Sequence, residues 1–204
     1  MDLKYNNKQM HITLELPYLK YIDEFLHLKC RDDLLKTGWF NNAKEITESM
    51  AVFKAYFKYF YEKVNNPIII VIGDGVFPRT ASLFAFRTPY WIVSIDPLLK
   101  IDNEIKYFDF PYRLWGIKSK IENININYSQ IFTLPSYFEN CILIFCHSHA
   151  SIKQSILTLK LLYKHFYIIS MPCCVPDDLP ILPFKSYEDY GVFSPKRRIN
   201  LYKL

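Results

Sequence analysis

Glycine is scarce in this chain, with five in 204 residues. That scarcity excludes a collagen-like or glycine-rich linker chain and gives weight to each glycine that is present. Long apolar runs are missing as well. The longest, such as Ile68–Ile72 and Cys141–Cys146, fall far short of the roughly 18 residues that span a bilayer. The opening MDLKYNNKQM has no apolar signal core. A soluble, intracellular chain without a membrane partner is expected. Cysteine is limited to Cys30, Cys141, Cys146, Cys173 and Cys174, an odd number with one adjacent pair. No disulfide framework is expected, and reduced thiols are the default. A Gly-Lys-Ser/Thr phosphate loop does not occur.

Hydrophobic residues make up 50% of the chain and aromatics 17%, with 16 Tyr and 16 Phe. A chain so composed buries a large core and is not disordered. Its length suits one domain. The net charge of +5 permits contact with nucleic acid without requiring it.

The pattern divides into a helical part and a strand–helix alternation. A helix is expected from Pro17, with Tyr18, Ile22, Phe25 and Leu26 at helical spacing through Leu28. A second starts at Asn42, three residues before Glu45, a spacing that resembles a capping box. Ile46, Met50, Phe53, Phe57, Phe60 and Val64 form its apolar stripe, and Asn65-Asn66-Pro67 ends it. Glu45 and Glu48 are explained by the helix dipole.

Ile68–Ile72 is β-branched throughout, as a central parallel strand covered on both faces should be. Trp91–Ile95, Cys141–Cys146 and Tyr167–Met171 are further strands. Helices are expected from Pro78 and from Ser151, which has Gln154 three residues on. Residues 100–127 give a weak signal, with a short strand or turn at Tyr112–Trp115. Tyr187–Leu204 alternates as an antiparallel hairpin or strand would. The fold class is α/β, a Rossmann-like sandwich on a mostly parallel sheet. Residues 1–66 form an N-terminal helical extension packed on the same domain, and 67–204 form the core.

In such sheets ligands bind outside the carboxyl ends of the strands. There the scarce and reactive residues gather: Gly73-Asp74-Gly75, Asp96, Cys146-His147-Ser148-His149 and Pro172-Cys173-Cys174. Glycine permits positive φ and close backbone approach. The G-x-G-x-x-G of dinucleotide sites fails at its third glycine, where Pro78 stands. Arg79, in the first turn of the following helix, suits a carboxylate or a phosphate. Asp96 lies about where an acidic side chain accepts hydrogen bonds from ribose hydroxyls. Lys196-Arg197-Arg198, with Tyr190, Phe193 and Tyr202 nearby, reads as a solvated hairpin edge or as a contact for nucleic-acid backbone.

The run from Ile68 through Gly73-Asp74-Gly75, with Trp91–Asp96, resembles class I S-adenosylmethionine-dependent methyltransferases over residues 66–175. The resemblance implies S-adenosylmethionine as cofactor. It implies that the loop Gly73, Asp74 and Gly75 holds the cofactor's methionine part and Asp96 its ribose, and the carboxylate that Arg79 suits is then that of the methionine part. Val71 stands where the family often has an acidic residue. Cys146-His147-Ser148-His149-Ala150 and Met171-Pro172-Cys173-Cys174 resemble a subgroup of eukaryotic tRNA ribose methyltransferases. That resemblance points to RNA modification at a ribose or another hydroxyl without fixing the substrate, and an imidazole that titrates near neutrality makes His147 or His149 suited to act as catalytic base. The Asn/Asp-Pro-Pro-Tyr motif of amino-methylating enzymes is missing. The alternative is an inactive methyltransferase-fold protein serving as a binding or structural subunit of a larger assembly, with a protein partner. A zinc-stabilised interaction domain is a third reading.

Cys146, His147, His149, Cys173 and Cys174 are expected to lie together beside the cofactor cleft, without metal. The reason is that adjacent residues in extended chain point to opposite faces, so Cys173 and Cys174 should not reach one ion. His147 and His149, two apart, should point the same way if the strand continues.

Overall fold

The computed structural model of the chain describes residues 19–100, 103–104, 113–124 and 138–204. Helices are α1 (Lys20–Leu26), α2 (Arg31–Lys36), α3 (Ala43–Tyr59), α4 (Arg79–Arg87) and α5 (Ile152–Leu159). Strands are β1 (Ile68–Ile72), β2 (Ile92–Ile95), β3 (Asn103–Glu104), β4 (Leu114–Ile117), β5 (Asn140–Cys146), β6 (His165–Met171), β7 (Lys185–Glu188) and β8 (Arg198–Lys203). A 3-10 turn covers Ile121–Asn123.

These strands make one sheet in the order β3-β4-β2-β1-β5-β6-β8-β7. From β4 to β6 every pairing is parallel. Short β3 runs antiparallel to β4, and β8 antiparallel to both β6 and β7. The expected mostly parallel α/β sheet is the fold observed. From β1 the chain runs outward to β2 and β4, then returns to the other side of β1 to make β5. That reversal creates a crevice at the carboxyl ends of β1 and β5.

β1 lies at the centre because all five of its side chains are 2% exposed or less. Their alternation feeds two cores. Ile69 and Val71 pack with α1, α3 and α4 on one face. Ile68, Ile70 and Ile72 pack with Ile152, Leu159 and Tyr163 on the other. Truncating such a side chain to Ala costs about 2–5 kcal/mol.

α3 begins as its sequence implies, since Asn42 Oδ1 accepts the Glu45 amide at 2.9 Å. Burial spreads beyond the expected stripe to Thr47, Ser49, Val52, Ala55 and Tyr56. The cause is a second neighbour. α1 lies against α3, and Thr47 Oγ1 accepts the Phe193 amide at 3.1 Å. α2 is an addition to the sequence reading, and α1 is shorter than expected. Pro17, Tyr18, Tyr112 and much of the weak stretch lie outside the described residues. Leu114 and Trp115 of the expected Tyr112–Trp115 element enter β4, and the tail forms the antiparallel pair β7–β8.

Candidate functional site

A cleft of about 370 Å³ opens at the crevice. Gly73 after β1, Asp96 after β2, Ile121 after β4, and His147 to Ala150 after β5 line it. Ile72, Ile95 and Leu98 add apolar wall, and Leu98 is 65% exposed. Ser119, Lys120 and Glu122 supply a polar rim. The volume falls within the usual range for small-molecule sites.

Gly73 and Gly75 both have positive φ, +76° and +86°. Their surroundings differ. A Cβ on Gly73 would lie 2.2 Å from Ser148 Oγ, whereas one on Gly75 would meet only the Arg79 guanidinium at 3.9 Å. Ser148 therefore fills the space in front of Gly73, and Gly75 is the open glycine.

Asp96 is buried at the mouth of β2. Its Oδ2 accepts the Gly75 amide at 2.9 Å and its Oδ1 the Leu98 amide at 2.7 Å. Each carboxylate oxygen keeps further lone-pair capacity for an incoming hydroxyl. Asp74 is committed elsewhere. Its carboxylate accepts the Thr80 and Ala81 amides, each at 3.0 Å, and the Ser94 hydroxyl at 3.3 Å. It thereby caps α4, whose N-cap residue Pro78 offers no side-chain acceptor. Full burial raises the Asp74 carboxyl above its ordinary value, against the two amide hydrogen bonds that lower it. Arg79 forms an ion pair with Glu45 of α3.

The two histidines diverge. β5 ends at Cys146, and His147 has φ +55°. That left-handed conformation costs roughly 1–2 kcal/mol in a non-glycine residue and breaks the pleat alternation that would align His147 with His149. His147 turns toward α3, where its Nε2 faces Glu48 Oε1 at 3.0 Å. Both atoms are buried and lack a well-aligned hydrogen bond. His149 turns toward the loop after β6. Its Nε2 lies 2.9 Å from Cys173 Sγ and 3.2 Å from Cys174 Sγ.

The expected five-residue cluster is thus divided. Cys146 packs into the core on the α3 and α4 side. Burial, then the Glu48 and Asp74 carboxylates, push its thiol well up. His149, Cys173 and Cys174 converge without it. Cys173 and Cys174 do not point apart as strand alternation would have them, since their sulfurs are 3.5 Å apart. β6 stops at Met171, so the pair sits in a bend where strand alternation does not apply. Burial raises the Cys173 thiol, but the Cys174 amide and thiol, the Val175 amide and His149 outweigh it, and the net direction is down.

Two of the three basic residues of the tail face groups within the chain. Arg198 Nε lies 3.0 Å from Glu188, Arg197 Nε 3.8 Å from the same carboxylate, and the Arg197 guanidinium 4.3 Å from the Tyr190 ring centroid.

Glu48 is the site residue that the helix-dipole explanation passed over. Its signal was spacing: it shares the row of Val52, Ala55 and Tyr56, so it is an acid on a buried stripe. Nothing in its own stretch points to Ser148 as the group filling the space at Gly73.

No protein-family profile matches the chain. The magnesium protoporphyrin IX methyltransferase of Synechocystis PCC 6803, crystallised with S-adenosylmethionine, is similar in structure. The TM-score is 0.50 at 9% identity, over 94% of this chain and 98% of that one. The shared feature is the Rossmann-like methyltransferase fold. A cyclopropane-fatty-acyl-phospholipid synthase-like protein from Lactobacillus casei gives a TM-score of 0.43 at 10% identity, over 75% of this chain and 58% of that one. A threonine–tRNA ligase of Methanosphaerula palustris is 28% identical over 103 residues, 44% of this chain and only 17% of the ligase's length. Among the described residues no helix is long and apolar enough to cross a membrane.

Proposed function

We propose that the chain is an S-adenosylmethionine-dependent methyltransferase acting on a hydroxyl, with an RNA ribose as the acceptor suggested by the sequence. The observation that carries this reading is Asp96. It is a buried carboxylate at the end of β2, fixed by two backbone amides and lining a cleft of small-molecule size at the switch point. Asp96 would hold the ribose hydroxyls. Gly75 offers open backbone for the methionine part, while Asp74 and Arg79 act indirectly by bracing the loop that carries it. Ile95, Leu98 and Ile121 suit the flat apolar faces of a base.

When bound, S-adenosylmethionine supplies an electrophilic methyl group on its sulfonium. Aligning that methyl with the acceptor oxygen is the main task of the site. His147 faces Glu48 through Nε2, which leaves Nδ1 to take the acceptor's proton. Glu48 would hold the ring and stabilise the imidazolium that forms.

Calorimetric titration with S-adenosylmethionine tests the reading. Wild type should bind, and Asp96→Ala should weaken binding by roughly 1.5–3 kcal/mol, the range for hydrogen bonds to a charged group. His147→Ala should keep cofactor binding and lose methyl transfer. If millimolar cofactor gives neither heat nor a thermal shift, the enzymatic reading fails.

The second reading is a subunit that keeps the fold without the activity. Ser148 favours it, because it occupies the space in front of Gly73 and gives that glycine a structural reason to exist.

A further inference from the structure

We infer that His149, Cys173 and Cys174 form a three-ligand site for a zinc-type ion, with a fourth coordination position open to solvent. Their donor atoms make a triangle with sides of 2.9, 3.2 and 3.5 Å. A tetrahedral zinc ion with Zn–S of about 2.3 Å and Zn–N of about 2.0–2.1 Å needs edges of about 3.5 Å for S–N and about 3.8 Å for S–S. The triangle is smaller by about 0.3–0.6 Å, which modest side-chain rotations supply. Two thiols with one imidazole are a donor set that suits zinc far better than magnesium or calcium. Three protein ligands with the rest of the sphere open is the pattern of zinc sites that bind water or substrate. His149 and Cys174 are exposed and Cys173 is half-buried, so an ion can enter.

The triangle is held from both sides. Parallel pairing of β5 with β6 sets Cys146 beside Met171 and places the two loops next to each other. Asp178, four residues past Cys174, accepts the Ile152 and Lys153 amides at 2.9 and 3.1 Å and the Ser151 hydroxyl at 2.5 Å. It thus ties the cysteine loop to the start of α5, two residues past His149. Asp177 is fixed in turn by Ser170, Asn200 and Tyr202. The ligand loops are therefore ordered before any ion arrives. This site stands whether or not the chain binds S-adenosylmethionine.

Cobalt(II) titration of the full chain, kept reduced with a phosphine, reads the site directly, because thiolate ligation gives a near-ultraviolet charge-transfer band. One equivalent should bind. Cys173→Ala and Cys174→Ala should abolish the band, and His149→Ala should weaken binding at least about tenfold, no less than the loss of an outer-sphere partner. Cys30→Ser should leave it unchanged. Thermal melts of each variant establish that it is folded, as expected for substitutions at exposed and half-buried positions. After zinc loading and gel filtration, elemental analysis should find one zinc per chain. Less than about a tenth of an equivalent, or a cobalt band indifferent to the Cys173 and Cys174 substitutions, overturns the inference. In that case the triangle is a hydrogen-bonded cluster only.

Discussion

Asp74 and Asp96 are both buried, yet their carboxylates serve different ends. Asp74 satisfies the first amides of α4, and Asp96 pins the glycine loop beside the cleft. Asp74→Ala would leave two buried amides unpaired, at a cost of about 1–3 kcal/mol, read as a lower denaturation midpoint. The pH dependence has a definite sign. The folded-state carboxyl lies above its ordinary value of 3.8, so the folded state holds this proton more tightly than the unfolded chain does. Its stabilising contribution is complete below 3.8 and is lost as pH rises through the raised value. Asp74→Asn cannot titrate. Wild type should therefore gain stability relative to Asp74→Asn as pH falls toward 3.8, measured by urea melts across acidic pH. A difference that stays flat or runs the other way would remove Asp74 from this role. Nothing in the sequence showed that Asp74 caps α4, because the acceptor of an amide six residues ahead is set by how the loop folds.

Helix starts were legible where the cap is local. Asn42 and Ser151 each accept the amide three residues on. The side chains opposite them were not. Glu45 does not close a capping box but pairs with Arg79 of α4. At α5 a second cap arrives from the loop after β6, as Asp178. Burial alone would raise the Asp178 carboxyl, but the Ser151 hydroxyl and the Lys153 and Ile152 amides overcome it, and the net shift is down. Its contribution is therefore present above 3.8 and lost as pH falls through the lowered folded value, opposite in sign to Asp74. Asp178→Ala should cost about 0.5–2 kcal/mol, as lost helix caps do. That corresponds to roughly 2–4 °C per kcal/mol in Tm for a chain of this size. Scanning calorimetry at neutral pH should find that loss, and the gap to wild type should narrow in strong acid. An unchanged Tm would mean that Ser151 alone suffices as the cap.

At the scale of the whole molecule, the central strands were legible because β-branched runs buried on both faces have few alternatives. β3 and β4 were faint, since a two-residue strand and Leu114-Trp115-Gly116-Ile117 carry little periodicity. What no local pattern could reveal is how the first helix meets the last hairpin. Tyr21 of α1 donates its hydroxyl to Asp189 at 2.6 Å, between β7 and β8. Gly191 lies beneath the same ring, where a Cβ would come within 2.6 and 2.8 Å of two ring carbons. Tyr21 is 5% exposed, so its ring cannot swing away without opening the core. Gly191→Ala should therefore destabilise the chain by about 1–3 kcal/mol, the usual cost of overpacking. The cause is the ring rather than the glycine backbone, and a double-mutant cycle separates the two. With Tyr21→Ala as background the ring clash is gone and only Asp189 Oδ1, 3.2 Å from the added methyl, must give, so the methyl should cost less and the coupling should reach about 0.5–3 kcal/mol. Equal penalties in both backgrounds, measured by chemical denaturation, would show that the glycine is required for its own conformation and that the seam between α1 and the hairpin is not what it serves.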